Sequence, residues 1–325
     1  DNLTEEELGW ATAVPLDLQG TVDLETASWG REWLADVRPQ PFVWPRHLSP
    51  SDRPPDIGLV IAKQAALTFS RTVGLGWDKL HPRALLRCSD ESLLALLRFL
   101  MLVEIMGVWP DAIGIILICL IPKADGGRRP IGLLPSIIRW WMRIRLDLVR
   151  TWQSDNDRPY FYAGPGRGAD IASWRQAARA ELAASSKFLS YANAMLDLVK
   201  AFERVPHDWL AYFAHEYNYP VFVLRLCIAA YRLGRVVQIS GVVSKVIFAT
   251  RGITAGAVHA TTELRLLLIQ VMDKISGKIL YATITLYVDD SSFEAVGSEK
   301  MVVAAVSRAV QIFAGDVHTM RMEFS

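Results

Sequence analysis

The sequence predicts an α+β fold, with helices packed on an antiparallel sheet, and three observations lead there. Segments with apolar residues three to four apart alternate with short β-branched runs. Those runs come in pairs separated by turn residues, as hairpins do. Hydrophobic residues are 51% and charged residues 21% of the 325-residue chain, a balance that supports a sizeable core rather than disorder. There is no internal repeat and no low-complexity tract.

Taken in order, residues 1–70 carry Trp, Pro and acids with little periodicity, and no function can be read from them. Trp29, Trp33 and Trp44 are expected to pack onto the body, and Pro54-Pro55 to mark a linker. From Asp90, the residues Leu93, Leu94, Leu97, Leu100 and Met101 recur at helical spacing, with Pro110 as the stop. Residues 113–121 form a β-branched-rich strand, Asp125-Gly126-Gly127 a turn, and 130–134 the returning strand. Lys123, Arg128 and Arg129 then stand at the hairpin tip. Ser136 is placed to cap a helix reaching about Trp152. Gly164, Gly166 and Gly168 precede an Ala-rich helix over 170–184. No Gly-Lys-Ser/Thr follows them, so they are a turn and not a Walker loop. Further on come a strand (187–197), helices (208–217 and 221–233), a hairpin (236–240 with 243–250), a helix (260–275), a strand (279–288) and a last helix (301–313).

The net charge of +1 hides an uneven distribution. Seven acids and no Lys or Arg occupy the first thirty residues, whereas seven bases face two acids between Ile121 and Arg150. An acidic N-terminal stretch thus masks a basic segment, a pattern compatible with nucleic acid as partner. Cys88, Cys119 and Cys227 are odd in number and in no ligand spacing, which argues against a disulfide framework or a zinc site and fits a reducing compartment. The apolar stretch 93–121 is interrupted by Arg98, Glu104, Pro110 and Asp111 and falls short of a spanning helix, so no membrane is expected. No signal peptide opens the sequence, and starting at Asp1 and stopping at Ser325 it reads as a fragment.

Chemistry enters at two strand ends. Along 279–290 alternate residues share a face. Leu280, Ala282, Ile284, Leu286 and Val288 form an apolar face, and the strand runs into the adjacent acids Asp289 and Asp290. Neighbouring like charges at a core edge are unfavourable unless solvated, protonated or bound to a cation. A third acid, Asp197, ends the strand containing Leu189, Tyr191, Asn193 and Met195. If the two strands are neighbours, Asp197 and Asp289 converge as hard oxygen ligands suited to Mg²⁺, with water and phosphate completing the shell. Two such ions support phosphoryl transfer.

These residues carry a resemblance. Leu286-Tyr287-Val288-Asp289-Asp290 resembles the Tyr-x-Asp-Asp motif of reverse transcriptases, and the stretch 196–207 is similar to their motif A, especially in non-long-terminal-repeat retrotransposons and group II introns. In family order, Ile121-Pro122-Lys123 with 129–134 resembles the fingers hairpin, and 74–82, with Trp77-Asp78, the segment before it. The stretch 251–256 resembles motif B, and 320–324 the start of motif D.

The resemblance implies right-hand polymerase fingers and palm without a thumb: an N-terminal extension (1–70), fingers (71–185) and a palm truncated near motif D (186–325). It implies an RNA-directed DNA polymerase of a retroelement, working on an RNA template with a DNA or RNA primer and deoxynucleotides. Asp197 and Asp289 would bind two Mg²⁺ ions (Mn²⁺ is the other candidate), with Asp290 assisting. Lys123 and Arg129 would clamp the triphosphate. Phe202 would exclude a 2′-hydroxyl, and Gly256 would let backbone approach the template–nucleotide pair. Arg139, Arg143 and Arg145 would track template phosphates. Motif B departs from the family, with Ala255, Ala257, Val258 and His259 where a Gln and small polar residues or Pro are usual, so the polar contact is either missing or supplied by Thr254 or His259. Two alternatives stay open: an RNA-directed RNA polymerase, and a catalytically decayed, RNA-binding maturase-like protein. The expected location is the nucleus for a eukaryotic retroelement and the cytoplasm for a bacterial one.

Overall fold

A computed structural model describes residues 17–124, 126–164 and 166–325. Its first element, α1 (Leu18–Glu32), is a helix that the sparse periodicity of this stretch did not suggest. Asp17 caps it by accepting the Gly20 amide at 2.8 Å. α1 buries Val22 and Trp29, with Trp33 just beyond, and the two indoles stack 6.1 Å apart. In α2 (Leu59–Leu67) the buried faces are alanines, so another helix can approach closely, and the Trp140 indole donates to the Ala62 carbonyl at 2.8 Å. α3 (Asp90–Met106) is capped by Ser89 and ends at Gly107, whose φ of +72° suits glycine; Pro110 is not the stop.

β1 (Ile115–Pro122) and β2 (Arg128–Leu133) form the expected hairpin, with Ile121 opposite Arg129. The helix expected from Ser136 to Trp152 is two, α4 (Ser136–Ile144) and α5 (Leu146–Asp155). Ser136 does not cap it. Its amide donates to Asp78 Oδ2 at 2.7 Å and its hydroxyl to the Leu80 carbonyl. The break falls at Arg145, which is 4% exposed. Its Nε and Nη2 each reach a Glu104 carboxylate oxygen at 2.6 Å, and Nη1 donates to the Pro55 carbonyl at 2.7 Å. The prolines at 54–55 are therefore anchored to the body.

The order continues with α6 (Ala169–Ala184), β3 (Ser190–Leu196), α7 (Ala201–Arg204), α8 (His207–Glu216) and α9 (Val221–Tyr231). Then come β4 (Gly234–Ile239), β5 (Val242–Val243), β6 (Ile247–Phe248), α10 (Ala260–Lys278), β7 (Thr283–Tyr287), β8 (Asp290–Gly297) and α11 (Glu299–Thr319). One sheet is antiparallel throughout, in the order β3-β8-β7. The other runs β2-β1-β4-β5, with β6 also on β4. It is mixed rather than antiparallel, because β1 and β4 run parallel, with Leu117 opposite Val236. This pair joins segments on either side of the boundary drawn at residue 185. Residues 17–70 are likewise tied in: Asp36 bridges to Phe248, and the Trp44 indole donates to His215 at 2.8 Å.

α9 and α10 are buried almost all round and form the centre of the core. Glu263 of α10 is wholly enclosed there, accepting from the Tyr231 hydroxyl at 2.6 Å. Burial pushes its carboxyl up to about 7 from an ordinary 4.5. By contrast, burial lowers His207 and His259 to about 3, so both are neutral in the fold.

Two outcomes are expected. Removing one partner of the enclosed Glu104–Arg145 pair strands the other charge, so Arg145→Ala lowers the unfolding free energy by about 3–5 kcal/mol in a denaturant titration. The same change at exposed Arg150, paired only with Asp147 at 3.6 Å, leaves the transition midpoint unmoved. For Glu263 the folded value lies above the unfolded one, so its contribution is full below pH 4.5 and is lost as pH rises through about 7. The difference in melting temperature between wild type and Glu263→Gln should therefore swing in the variant's favour across that window; a constant difference contradicts it.

Candidate active site

The site begins with a two-residue turn. Val288 and Asp289 connect β7 to β8, with Tyr287 paired to Asp290. Val288 has φ +60°, a region that a β-branched residue rarely enters, so the turn is strained at the point where the acids emerge. Ile284 and Leu286 bury one face of β7 as the alternation predicts, but Leu280 is 83% exposed because the strand starts only at Thr283.

β3 and β7 are not neighbours. β8 lies between them, and its pairing with β3 sets Leu196 opposite Ser291, which brings Asp197 beside Asp290. Asp197 is held from its other side by the last residues: its amide donates to the Ser325 carbonyl at 3.2 Å, and the Ser325 amide returns the bond at 2.9 Å. The carboxylates thus meet through a shared central strand.

After Asp197 the chain turns at Lys200, φ +50°, into the single turn of α7. The loop at 252–256 docks on it: the Gly252 amide donates to the Val205 carbonyl at 2.7 Å and the Ile253 amide to the Phe202 carbonyl at 2.8 Å. The same loop reaches β2, where the Gly132 amide donates to the Ala255 carbonyl at 3.1 Å. Gly252 has φ +91°, and a Cβ there would overlap the Glu203 carbonyl, so no other residue fits. Gly256 has φ +95° with only ordinary contacts nearby, so its need is conformational.

These links enclose a cleft of about 480 Å³ lined by Asp197, Asp289 and Asp290 together with Phe202, Gly256, Lys123 and Arg129. Burial, then repulsion from Asp290 and Asp197, raises Asp289; its own amide and Arg129 oppose the shift. Burial and Asp197 raise Asp290. A divalent cation would relieve that repulsion, so the donor set suits one. Among the described residues no three His, Cys, Asp or Glu side chains are grouped so as to hold a metal ion by themselves.

The arginines expected to track template phosphates, Arg139, Arg143 and Arg145, do not line this cleft. Arg139 donates to the Gly74 carbonyl at 2.6 Å, and it and Arg143 lie over the Phe69 ring, 5.5 and 5.6 Å from its centre. Arg145 is withdrawn from that role, since its guanidinium is enclosed against Glu104. Thr254 and His259 are buried (3% and 0% exposed) and do not replace the missing polar contact in the cleft. Sequence reasoning missed Trp29 and Lys200 as wall residues. Lys200 was visible in the motif around Asp197; Trp29 sits on a helix with no periodic signal.

An antiparallel sheet that delivers acids from a hairpin and a neighbouring strand end, below a basic hairpin, defines the fingers and palm of a right-hand polymerase. The family model for reverse transcriptase (RNA-dependent DNA polymerase) matches residues 121–323, and the chain belongs to that family. No curated protein matches it. Among solved structures it is similar to apo telomerase from Candida tropicalis truncated from its C-terminal domain, at 15% identity and a TM-score of 0.46. That likeness covers 63% of this chain and 47% of the telomerase chain.

The loop–helix docking gives an expectation. Gly252→Ala should separate the 252–256 loop from α7, costing about 2–4 kcal/mol of stability in a denaturant titration. Gly241→Ala, at φ +87° but in open space, should cost distinctly less.

Proposed function

We propose that this chain is the fingers and palm of a retroelement reverse transcriptase, which adds deoxynucleotides to a primer 3′-hydroxyl on an RNA template. The observation that carries the reading is the convergence of Asp197, Asp289 and Asp290 on one cleft with the basic hairpin tip and Phe202. Asp197 and Asp289, with Asp290 assisting, fit as holders of two Mg²⁺ ions, or Mn²⁺ in their place. Such ions, when bound, favour ionisation of the attacking hydroxyl and offset charge on the leaving oxygens.

The protein's own groups do the positioning. Lys123 and Arg129 stand exposed at the cleft and are suited to grip a triphosphate through charge-assisted hydrogen bonds. Phe202 is half-buried against the core, so its ring is a fixed wall against the sugar, where a 2′-hydroxyl would collide. Gly256 keeps its part of the wall free of side chain, allowing a base pair to lie against backbone. Arg139 and Arg143, which lie outside the cleft, are assigned to template phosphates beyond it, a sequence-independent contact that weakens with salt.

A second reading is favoured by one feature: Ala255 and Ala257 line the cleft where the family carries polar side chains. On that reading the fold binds RNA without catalysis. Primer extension on an RNA template separates the two. Catalysis predicts Mg²⁺-dependent synthesis that Asp289→Asn reduces by about 10³-fold or more. Phe202→Ala should then raise ribonucleotide use by about tenfold or more, relative to deoxynucleotides. If wild type and Asp289→Asn extend equally at background while RNA still binds, the non-catalytic reading stands. Efficient ribonucleotide use by the wild type would instead point to an RNA-making enzyme.

A further inference from the structure

Helix α1 lies outside the family match, yet Trp29 forms part of the cleft wall beside Asp197 and Phe202. Ion pairs fix the helix at two places. Glu32 accepts from Lys200 Nζ and Arg204 Nε, both at 2.7 Å, and its carbonyl accepts from Arg251 at 2.7 Å. Lys200 also places its ammonium 4.9 Å from the centre of the Trp29 ring. One turn before Trp29, Glu25 faces the hairpin: one carboxylate oxygen pairs with Arg128, and the other accepts the Trp29 indole N–H at 3.2 Å.

Arg128 lines the same cleft as Lys123 and Arg129, but its guanidinium is already engaged. We propose that Arg128 is a third triphosphate-binding residue held in reserve by Glu25, so that α1 is a built-in competitor for the incoming nucleotide. This rests on the reading of the cleft as a nucleotide site. A triphosphate carries more charge than one carboxylate and offers several acceptor oxygens to a guanidinium fork. Exchange of Arg128 from Glu25 to phosphate therefore replaces one charge-assisted pair with a stronger one. Each binding event must break the first pair, which lowers affinity. With side-chain exposures of 33% for Arg128 and 23% for Glu25, salt does not screen the pair away. Deleting the Glu25 charge should tighten binding, the opposite of what loss of a merely structural contact does.

The test is calorimetric titration of the full chain, without primer, with a deoxynucleoside triphosphate and Mg²⁺. Glu25→Gln should bind about three- to fivefold more tightly than wild type, the scale of one partly exposed ion pair. Arg128→Gln should bind more weakly, and adding Glu25→Gln to it should change nothing. Glu25→Asp, which keeps the charge but shortens its reach, should also tighten binding and serves if the first variant folds poorly. Equal or weaker binding by both Glu25 variants overturns the proposal. So does tightening that persists without Arg128, which would reflect bulk charge instead of release. If wild type and Glu25→Gln bind no triphosphate at all, the nucleotide-site reading falls and takes this inference with it.

Discussion

Backbone hydrogen bonding along β8, antiparallel to β3 on one side and to β7 on the other, is the constraint from which the geometry of the cleft follows. A slip of one residue would turn every β8 side chain to the other face. Both faces forbid it. Glu294 is fully buried between Arg179 (2.7 Å) and the Tyr191 hydroxyl (3.0 Å), and Ser292 meets Gln176 and Asn193. Phe293, one position along, packs 5.4 Å from Phe313 of α11. Polar residues on one side and aromatic ones on the other lock the register, and Asp290 and Asp197 inherit their places from it.

The acids themselves are held at a cost. Two carboxyls are displaced toward the neutral form by burial and by neighbouring acids, Asp197 acting on both and Asp290 on Asp289, and they spring from a turn whose first residue has an unfavourable φ. Such an arrangement persists only where the surroundings over-determine it. Here the C-terminal residues grip Asp197 from one side, while the 252–256 loop ties α7 to β2. Stability made elsewhere, chiefly along α9 and α10, sustains a strained and repulsive rim.

How much of this was legible depended on whether the cause was local. The Asp-Asp turn, the lone Asp197 and the bases of the hairpin tip were readable because alternation and turn chemistry act over a few residues, whereas Phe202 and Gly256 followed only from the family resemblance; all of them line one cleft. Strand order was not: the interposed β8 is a matter of pairing partners, which periodicity does not encode. Arg145 looked like a surface base in a basic stretch, but its partner Glu104 lies 41 residues earlier, and only tertiary structure brings them together. Helix α1 was hidden because its buried face amounts to Val22 and Trp29, too few residues to print a helical period. Leu280 shows the reverse error, an apolar residue assigned to a core that its backbone never reaches.

The parallel pairing of β1 with β4 has a consequence for how the molecule is made. Ile115 lies beside Gly234, so more than a hundred residues of chain must emerge before the first strand finds its lateral partner. Until then the β1–β2 hairpin exposes an open, strongly apolar edge, and loop closure over such a distance is slow. Assembly of the hairpin that lines the cleft is therefore coupled to arrival of the segment that carries Asp197, which precedes β4 in the chain. The two halves of the cleft mature together, and a nascent chain halted between them is the species most exposed to aggregation.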